Sequence, residues 1–438
     1  MFLVYTHKIT PRLKYIFKHI FENMLMINFD LTTKVEIFVA HSGPKLSYSN
    51  KPLGDEFFIK SHLLLFEQGI TPQKLKLDFW DELPIFFLND AECDCPFDIF
   101  AASFFLLCRY EECMPYLKTN SGYFDPSHSI SMKFNFLELP IIDLWVSKFQ
   151  EQLASKFPEI LKKYDYKPSK KILLEVPLAF RYSNRSFLEN LEDFISSVLK
   201  LNLKQLINQI LVLIRFKNDP FDTFDFWKEW FEKSSIKPQV FFLFSQSSSY
   251  QVTTSIFNLR FKKIIKKTGD FFSLGLLTSI RAQIDSKKQI LREKNDFQKL
   301  TNRAIFDARL SNGIINLRKD YEMLYENEFK NDYSMGYLDQ IGFRAGTATP
   351  YYFYDFSRES QLSLKLTPIF ATEESLKRIN NPFPVEKLRA AYEMLPLKSS
   401  ILTIVLTNAF LDPNLKYPIP MQQQAVAVVN LLGCKIWQ

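Results

Sequence analysis

"NDYSMGYLDQIGFRAGTATPYYFYDF", residues 331–356, decides how this chain is read. It holds three of the eleven glycines in 438 residues, a cluster of aromatics, an acid, Asp332, and an arginine, Arg344. Glycine is scarce against a usual share of about 7%. The mixture describes the wall of a polar pocket. Yet no histidine follows it, and all five, His7, His19, His41, His62 and His128, lie far ahead of it.

The composition around this stretch is that of a folded protein, 47% hydrophobic and 24% charged, with 44 Phe and 19 Tyr. Net charge is +7, but Lys and Arg are mixed with acids along the chain. The densest basic run, "RFKKIIKKTGD" at 260–270, reads as a solvated helix face, and with no recognisable binding module a nucleic-acid partner is not expected. No two glycines stand two apart, which excludes the dinucleotide fingerprint and the phosphate-binding loop, because both need backbone to approach phosphate closely. Four of the five cysteines, Cys93, Cys95, Cys108 and Cys113, lie near one another without a standard zinc spacing, so they read as buried structural thiols of a reducing compartment. The opening, "MFLVYTHKITPRLKYIF", lacks the apolar region of a secretory signal. "LINQILVLIRF", 206–216, is too short to span a bilayer. A cytoplasmic protein without a membrane span is expected.

Two domains are expected, 1–165 and 170–438, joined by the charged, proline-bearing "KKYDYKPSKK" at 162–171. In the first, "KVEIFVA" (34–40) and "LPIFFL" (83–88) read as strands, 97–113 as one buried helix, and "ELPIIDLW" as the start of a helix ending near Phe157. From residue 171 strands and helices alternate: "KILLEVPLAF", "KPQVFFLFS", "FFSLGLL" and "SSILTIVLTNAF" read as strands, as does "GIINLR" at 313–318. Helices separate them, and a last helix is expected over 420–437. Repeated βα units predict an α/β fold, a barrel or a doubly wound sheet.

"DYSMGY", "GFRAGT" and "PYYFYD" together resemble the polysaccharide deacetylase family, the NodB-homology or carbohydrate esterase family four fold. "PFDIFAASFFLLCRYEE" and "LPIIDLW" are similar to the N-terminal domain of unknown function in a Bacteroidetes-type branch, and "NDPFDTFDFW" to its barrel. The resemblance covers nearly the whole chain. It implies a distorted (β/α) barrel of deacetylase type with an additional N-terminal α/β domain. It also implies a divalent metal held by an aspartate and two histidines, which polarises an N-acetyl carbonyl and activates water.

Carried over residue by residue, the motifs are degenerate. Glu175 stands at the first acid of the first motif and Pro177 at the second. Leu277 in "SLGLLTSI", Ser311 in "ARLS" and Thr407 in "VLTN" stand where histidines belong, while Asn408 is kept. Imidazole is absent from the whole second domain, and Leu, Pro, Ser and Thr replace neither its ligation nor its acid work near neutral pH. The expectation is therefore a barrel without its catalytic residues, metal or cofactor. Its candidate pocket comprises Glu175, Asp332, Arg344, Tyr351, Tyr352, Asp355 and Asn408. It would bind a saccharide or a partner protein, or act as a scaffold in carbohydrate or cell-envelope polysaccharide metabolism. The alternative is a hydrolase using Glu175 and Asp332, with Asp355 a further candidate, without metal, which needs two carboxyls in one cleft with separated pKa values. Glu175 and Arg344 are expected to pair, since Pro177 leaves Glu175 the sole carboxylate of its motif.

Overall fold

The computed structural model describes residues 1–411 apart from 91, 116–123, 161–166, 186, 233, 235, 286, 314 and 379–383. Its first region is built on four parallel strands, β1 (Phe2–Thr6), β2 (Phe29–Thr32), β3 (Lys45–Ser49) and β4 (Phe57–Lys60), in the order β2-β1-β3-β4. The apolar opening of the chain is thus an interior strand, buried along most of its length. A short antiparallel pair follows, β5 (Asp78–Trp80) with β6 (Leu83–Ile85), the latter inside the expected "LPIFFL".

Two expectations change here. "KVEIFVA" is a helix, Val35–Ala40, because its alternating Val35, Ile37 and Val39 find no sheet and stay exposed, while Phe38 packs on Tyr5. The helix expected over 97–113 breaks in two, Ile99–Leu107 and Tyr110–Cys113. The first is buried at every position and capped by Asp98, whose carboxylate accepts from the Phe100 and Ala101 amides. The break is Arg109, at φ 50°, a left-handed conformation that costs an L-residue about 1–2 kcal/mol. The helix Ile141–Lys156 follows as expected.

The second region carries the alternating pattern. Strands β7 (Ser169–Val176), β8 (Gln239–Leu243), β9 (Ser273–Leu277), β10 (Asp307–Arg309) and β11 (Asn331–Asp332) run parallel in sequence order. Then come β12 (Tyr351–Asp355), β13 (Ser360–Leu366), β14 (Ala371–Thr372) and β15 (Ile401–Thr407), giving the order β12-β13-β11-β10-β9-β8-β7-β15-β14. Only β12 and β13 are antiparallel. "GIINLR" is not a strand: the strand ahead of it is "DAR", and Asn316 caps a helix, Leu317–Glu326.

The nine-stranded sheet is curled. β13 pairs with β11 near one end and β14 with β15 at the other, yet only residues 367–370 separate them. Within that link the Ile369 amide donates to Met335 O (2.7 Å) and the Phe370 amide to Thr403 O (3.0 Å). Consecutive residues thus bond to the two flanks of the sheet and draw them together. The described ladder is not a closed barrel, but its inner face is enclosed. Leu173, Phe241, Leu277, Tyr333, Ile369 and Val405 form a separate apolar cluster contributed from around the curl. Gly275 on β9 makes room for it, since a Cβ there would stand 2.3 Å from the Phe241 ring. The main core, by contrast, runs without a break from the first region into the second.

The expected join falls largely on residues 161–166, and the last expected helix on 420–437, both outside the described residues. Among those described, no helix is long and apolar enough to cross a membrane.

Candidate functional site

The candidate residues separate into two centres. The first lies at the C-terminal ends of the parallel strands, where α/β sites normally sit. Glu175, near the end of β7, accepts a charged hydrogen bond from Arg309 Nε at the end of β10, and Arg309 Nη1 also donates to Tyr333 O. Arg309 is almost fully buried, so Glu175 balances a cation that water cannot reach. Leu277 ends β9 inside the apolar cluster and is only 2% exposed. The Ser311 hydroxyl donates to Thr278 O. Thr407, at the end of β15, donates both its amide (3.0 Å) and its hydroxyl (2.5 Å) to Glu373, which follows β14. Asn408 donates to Leu178 O (3.1 Å) and Phe221 O (2.8 Å), and its carbonyl accepts from Thr223 (2.7 Å). Pro177, half-buried, follows β7 and has no side-chain donor or ligand atom.

Asp332 ends β11 and is fully buried, accepting from the Ser334 amide (2.9 Å) and hydroxyl (2.6 Å). Burial outweighs these bonds and pushes its carboxyl up to about 6. It is a closed internal group, not an open cleft acid.

These residues do not fit the divalent metal that the resemblance implies. Arg309 holds the single motif carboxylate, a leucine occupies one ligand position, and hydroxyls already bonded to protein oxygens occupy two others. No cluster of three His, Cys, Asp or Glu suited to a metal is found among the described residues.

The second centre is the seam between the two regions, and it takes Arg344. The expected Glu175–Arg344 pair is not made. Arg344 forks onto Glu112 instead, Nε to Oε1 at 3.0 Å and Nη2 to Oε2 at 2.6 Å. Arg109 Nε reaches the same Glu112 at 2.7 Å, its Nη2 pairs with Glu111 at 2.8 Å, and its Nη1 donates to Arg344 O. Two cations and two anions close a buried, neutral cluster, and the strained backbone of Arg109 aims its side chain into it. Burial pushes the Glu112 carboxyl up, but Arg344 and Arg109 pull harder and hold it below the usual range.

Asp143, from "LPIIDLW", makes the second lock. Its carboxylate accepts from Thr347 Oγ1 (2.5 Å), the Ala348 amide (3.1 Å), Thr349 Oγ1 (2.8 Å) and Ser400 Oγ (2.7 Å). The backbone joins in: Ile142 N donates to Gly346 O (2.9 Å) and Phe343 N to Leu137 O (2.8 Å). A Cβ on Gly342, at φ 135°, would stand 2.4 Å from Leu137 O, so glycine is what lets the two regions touch.

The aromatics face the same seam. Tyr352 O accepts from Tyr15 OH (2.7 Å), and the Tyr354 ring stands 5.1 Å from that of Tyr15 and 5.3 Å from that of Phe104. Tyr351 is buried beside His19, 6.2 Å between rings. Asp355 pairs with Arg358 (2.6 Å) and lines a cavity of about 420 Å³ between the regions, together with Glu112, Cys113, Arg318, Phe353 and Phe356.

Arg309, Glu112 and Asp143 were not recognised as functional from the sequence. Each lies in a stretch already singled out, "ARLS", "CRYEE" and "LPIIDLW", but none has a local spacing that announces its partner.

A family model described as a family of unknown function (DUF7033) matches residues 2–158. No curated protein sequence matches the chain. Solved structures do, among them a protein from Mycobacterium smegmatis provisionally described as a polysaccharide deacetylase, at 10% identity over 61% of this chain and 86% of that one, with a TM-score of 0.37. Puue allantoinase is similar at 9% identity over 60% of this chain and 85% of its own, TM-score 0.38. A 4-alpha-glucanotransferase from Thermococcus litoralis follows at 12% identity, over 61% of this chain and 37% of the enzyme, TM-score 0.35.

Proposed function

We propose that this is a non-catalytic protein with a deacetylase-type barrel, acting as a scaffold in carbohydrate or cell-envelope polysaccharide metabolism. On this reading it works in the cytoplasm as two units, 1–165 and 170–438, locked face to face. The observation that carries it is the state of the strand ends. Glu175 is neutralised by buried Arg309, and the interior beneath is filled by Leu277, Phe241 and their neighbours. The hydrolase reading loses support, because Asp332 is sealed away from any substrate.

Elemental analysis of the purified chain, with acetate release from N-acetylated glucosamine oligomers in added zinc or cobalt, tests this. Neither bound metal nor acetate above blank is expected. One metal per chain that Glu175→Gln removes, or acetate release that the same change abolishes, would overturn it.

Saccharide binding has one observation in its favour, the cavity of about 420 Å³, whose lining includes Phe353 and Phe356 with Asp355 and Arg318. Calorimetric titration with chitin and cellulose oligomers tests this arm. Heats that Asp355→Ala abolishes would support it, and titrations flat across both series would remove it.

A further inference from the structure

The helices Phe187–Leu199 and Leu203–Leu213 pack as a hairpin, with Gln209 Nε2 donating to Asn190 O at 2.7 Å. The hairpin is packed inside out. Ser197 and Gln209 are buried, while of the thirty large apolar side chains exposed among the described residues, twelve lie between 191 and 216. Scattered exposed apolar residues are ordinary, but a cluster of this density marks a surface that something covers.

The exposed residues are ordered. On the first helix they include Leu191, Phe194, Ile195 and Val198, and on the second Leu203, Ile207, Ile210 and Ile214. Steps of four and three residues alternate within each stripe, 191-195-198 and 203-207-210-214, which is the spacing of a seam that packs on another helix. A stripe this narrow suits a helical partner better than a flat lipid surface. None of the eight side chains is charged.

Two features make that partner a second copy. An interface about a two-fold axis has to be complementary to itself. Turned end for end, each stripe lands on itself: Leu191 takes the place of Val198 and Phe194 that of Ile195, while Leu203 takes the place of Ile214 and Ile207 that of Ile210. The midpoints of the stripes, between 194 and 195 and between 208 and 209, also stand at nearly equal distances along the chain from Leu201 in the turn. A single two-fold axis across the hairpin therefore serves both helices, each meeting its own copy antiparallel. The second feature is size, since the stretch 191–216 matches the roughly 20–30 residues a side of a standard protein–protein interface.

We propose that two copies of this chain pair through the hairpin 187–213 and form a four-helix bundle, with both stripes of each copy in its seam.

Sedimentation of the full chain across the micromolar range, with single-cysteine cross-linking, tests this. A species of twice the chain mass is expected. Ile207→Asp or Ile195→Asp brings a carboxylate from each copy into the apolar seam near the axis, and should weaken association about a hundred-fold. Both positions are exposed in the single chain, so circular dichroism should stay that of the parent. Ile210→Cys should give a disulfide-linked dimer on mild oxidation, whereas Leu63→Cys, at an exposed site of the first region, should not. A monomer at every concentration would overturn the proposal, and flotation of that monomer with anionic vesicles would make a lipid surface the cover. A dimer that both aspartate variants leave intact, or equal cross-linking of the two cysteine variants, would overturn it as well.

Discussion

The strand ends of the curled sheet and the seam between the two regions treat their charges in opposite ways. At the strand ends one carboxylate meets one arginine, and the remaining motif positions hold a leucine and two hydroxyls bonded to neighbouring protein oxygens. At the seam, Arg344, Arg109, Glu111 and Glu112 form a closed cluster that Arg344 joins from the second region, and all four hydrogen bonds that Asp143 accepts come from the second region. The stretch 331–356 carries an arginine, three glycines and its tyrosines, while no histidine stands at the strand ends. The seam accounts for that difference, because these residues hold the two regions together.

The largest effect should come from breaking the seam. Arg344→Met leaves Glu112 buried with half its charge partners, and removing one side of such a pair costs about 3–5 kcal/mol. The urea midpoint of the full chain should fall accordingly, with both regions melting in the same transition. A loss below about 1 kcal/mol would mean the cluster is not what joins them.

Asp143→Ala ranks next. It strands two threonine hydroxyls, a serine hydroxyl and the Ala348 amide, and an unsatisfied buried donor costs about 1–3 kcal/mol, so about 3 kcal/mol in total is expected after some donors find water. Asp143→Asn should recover part of this in the same urea series, and an equal loss for both variants would point to packing.

The strand-end pair should be worth less. Glu175 keeps some contact with solvent, so Glu175→Gln is expected to cost about 1.5–3 kcal/mol, the range of a hydrogen bond to a charged group. Thermal melts of this variant and of Arg344→Met compare the two centres directly. A larger loss for Glu175→Gln would reverse their order.

The smallest effect is a change of slope with pH. Asp332 sits at about 6 when folded, against about 3.9 for a free aspartate, so the folded chain holds this proton more tightly. The stability it contributes is full below about pH 4 and is lost as pH rises through 6. Burial likewise lifts Asp98 and Asp320 to about 6, so each adds a loss of the same sign, while buried His19, lowered to about 3, opposes them across this window. Asp332→Asn should make the dependence of the urea midpoint on pH shallower by up to one proton, about 1.4 kcal/mol per pH unit. An unchanged slope would place Asp332 in contact with water.

Much of the architecture was legible because its causes are local. The β7, β8, β9 and β15 strands, and helix between β7 and β8, were expected from β-branched runs and helical spacing, and all are present. β13 was also legible, since "SQLSLKL" alternates buried and exposed residues, but it went unread just beyond the stretch taken for a pocket wall. "KVEIFVA" misled for the converse reason: its alternation was real, but no strand lay beside it.

The sequence alone determined that imidazole is missing after residue 128, because composition needs no folding to be counted. It also marked the stretch 331–356, "CRYEE" and "LPIIDLW" as distinctive. Only the tertiary structure decided that these three belong to one another. Arg344 and Glu112 are 232 residues apart, and Arg309 and Glu175 134 apart. A carboxylate attracts any arginine that the fold brings within hydrogen-bond distance, and no spacing along the chain records which one that will be.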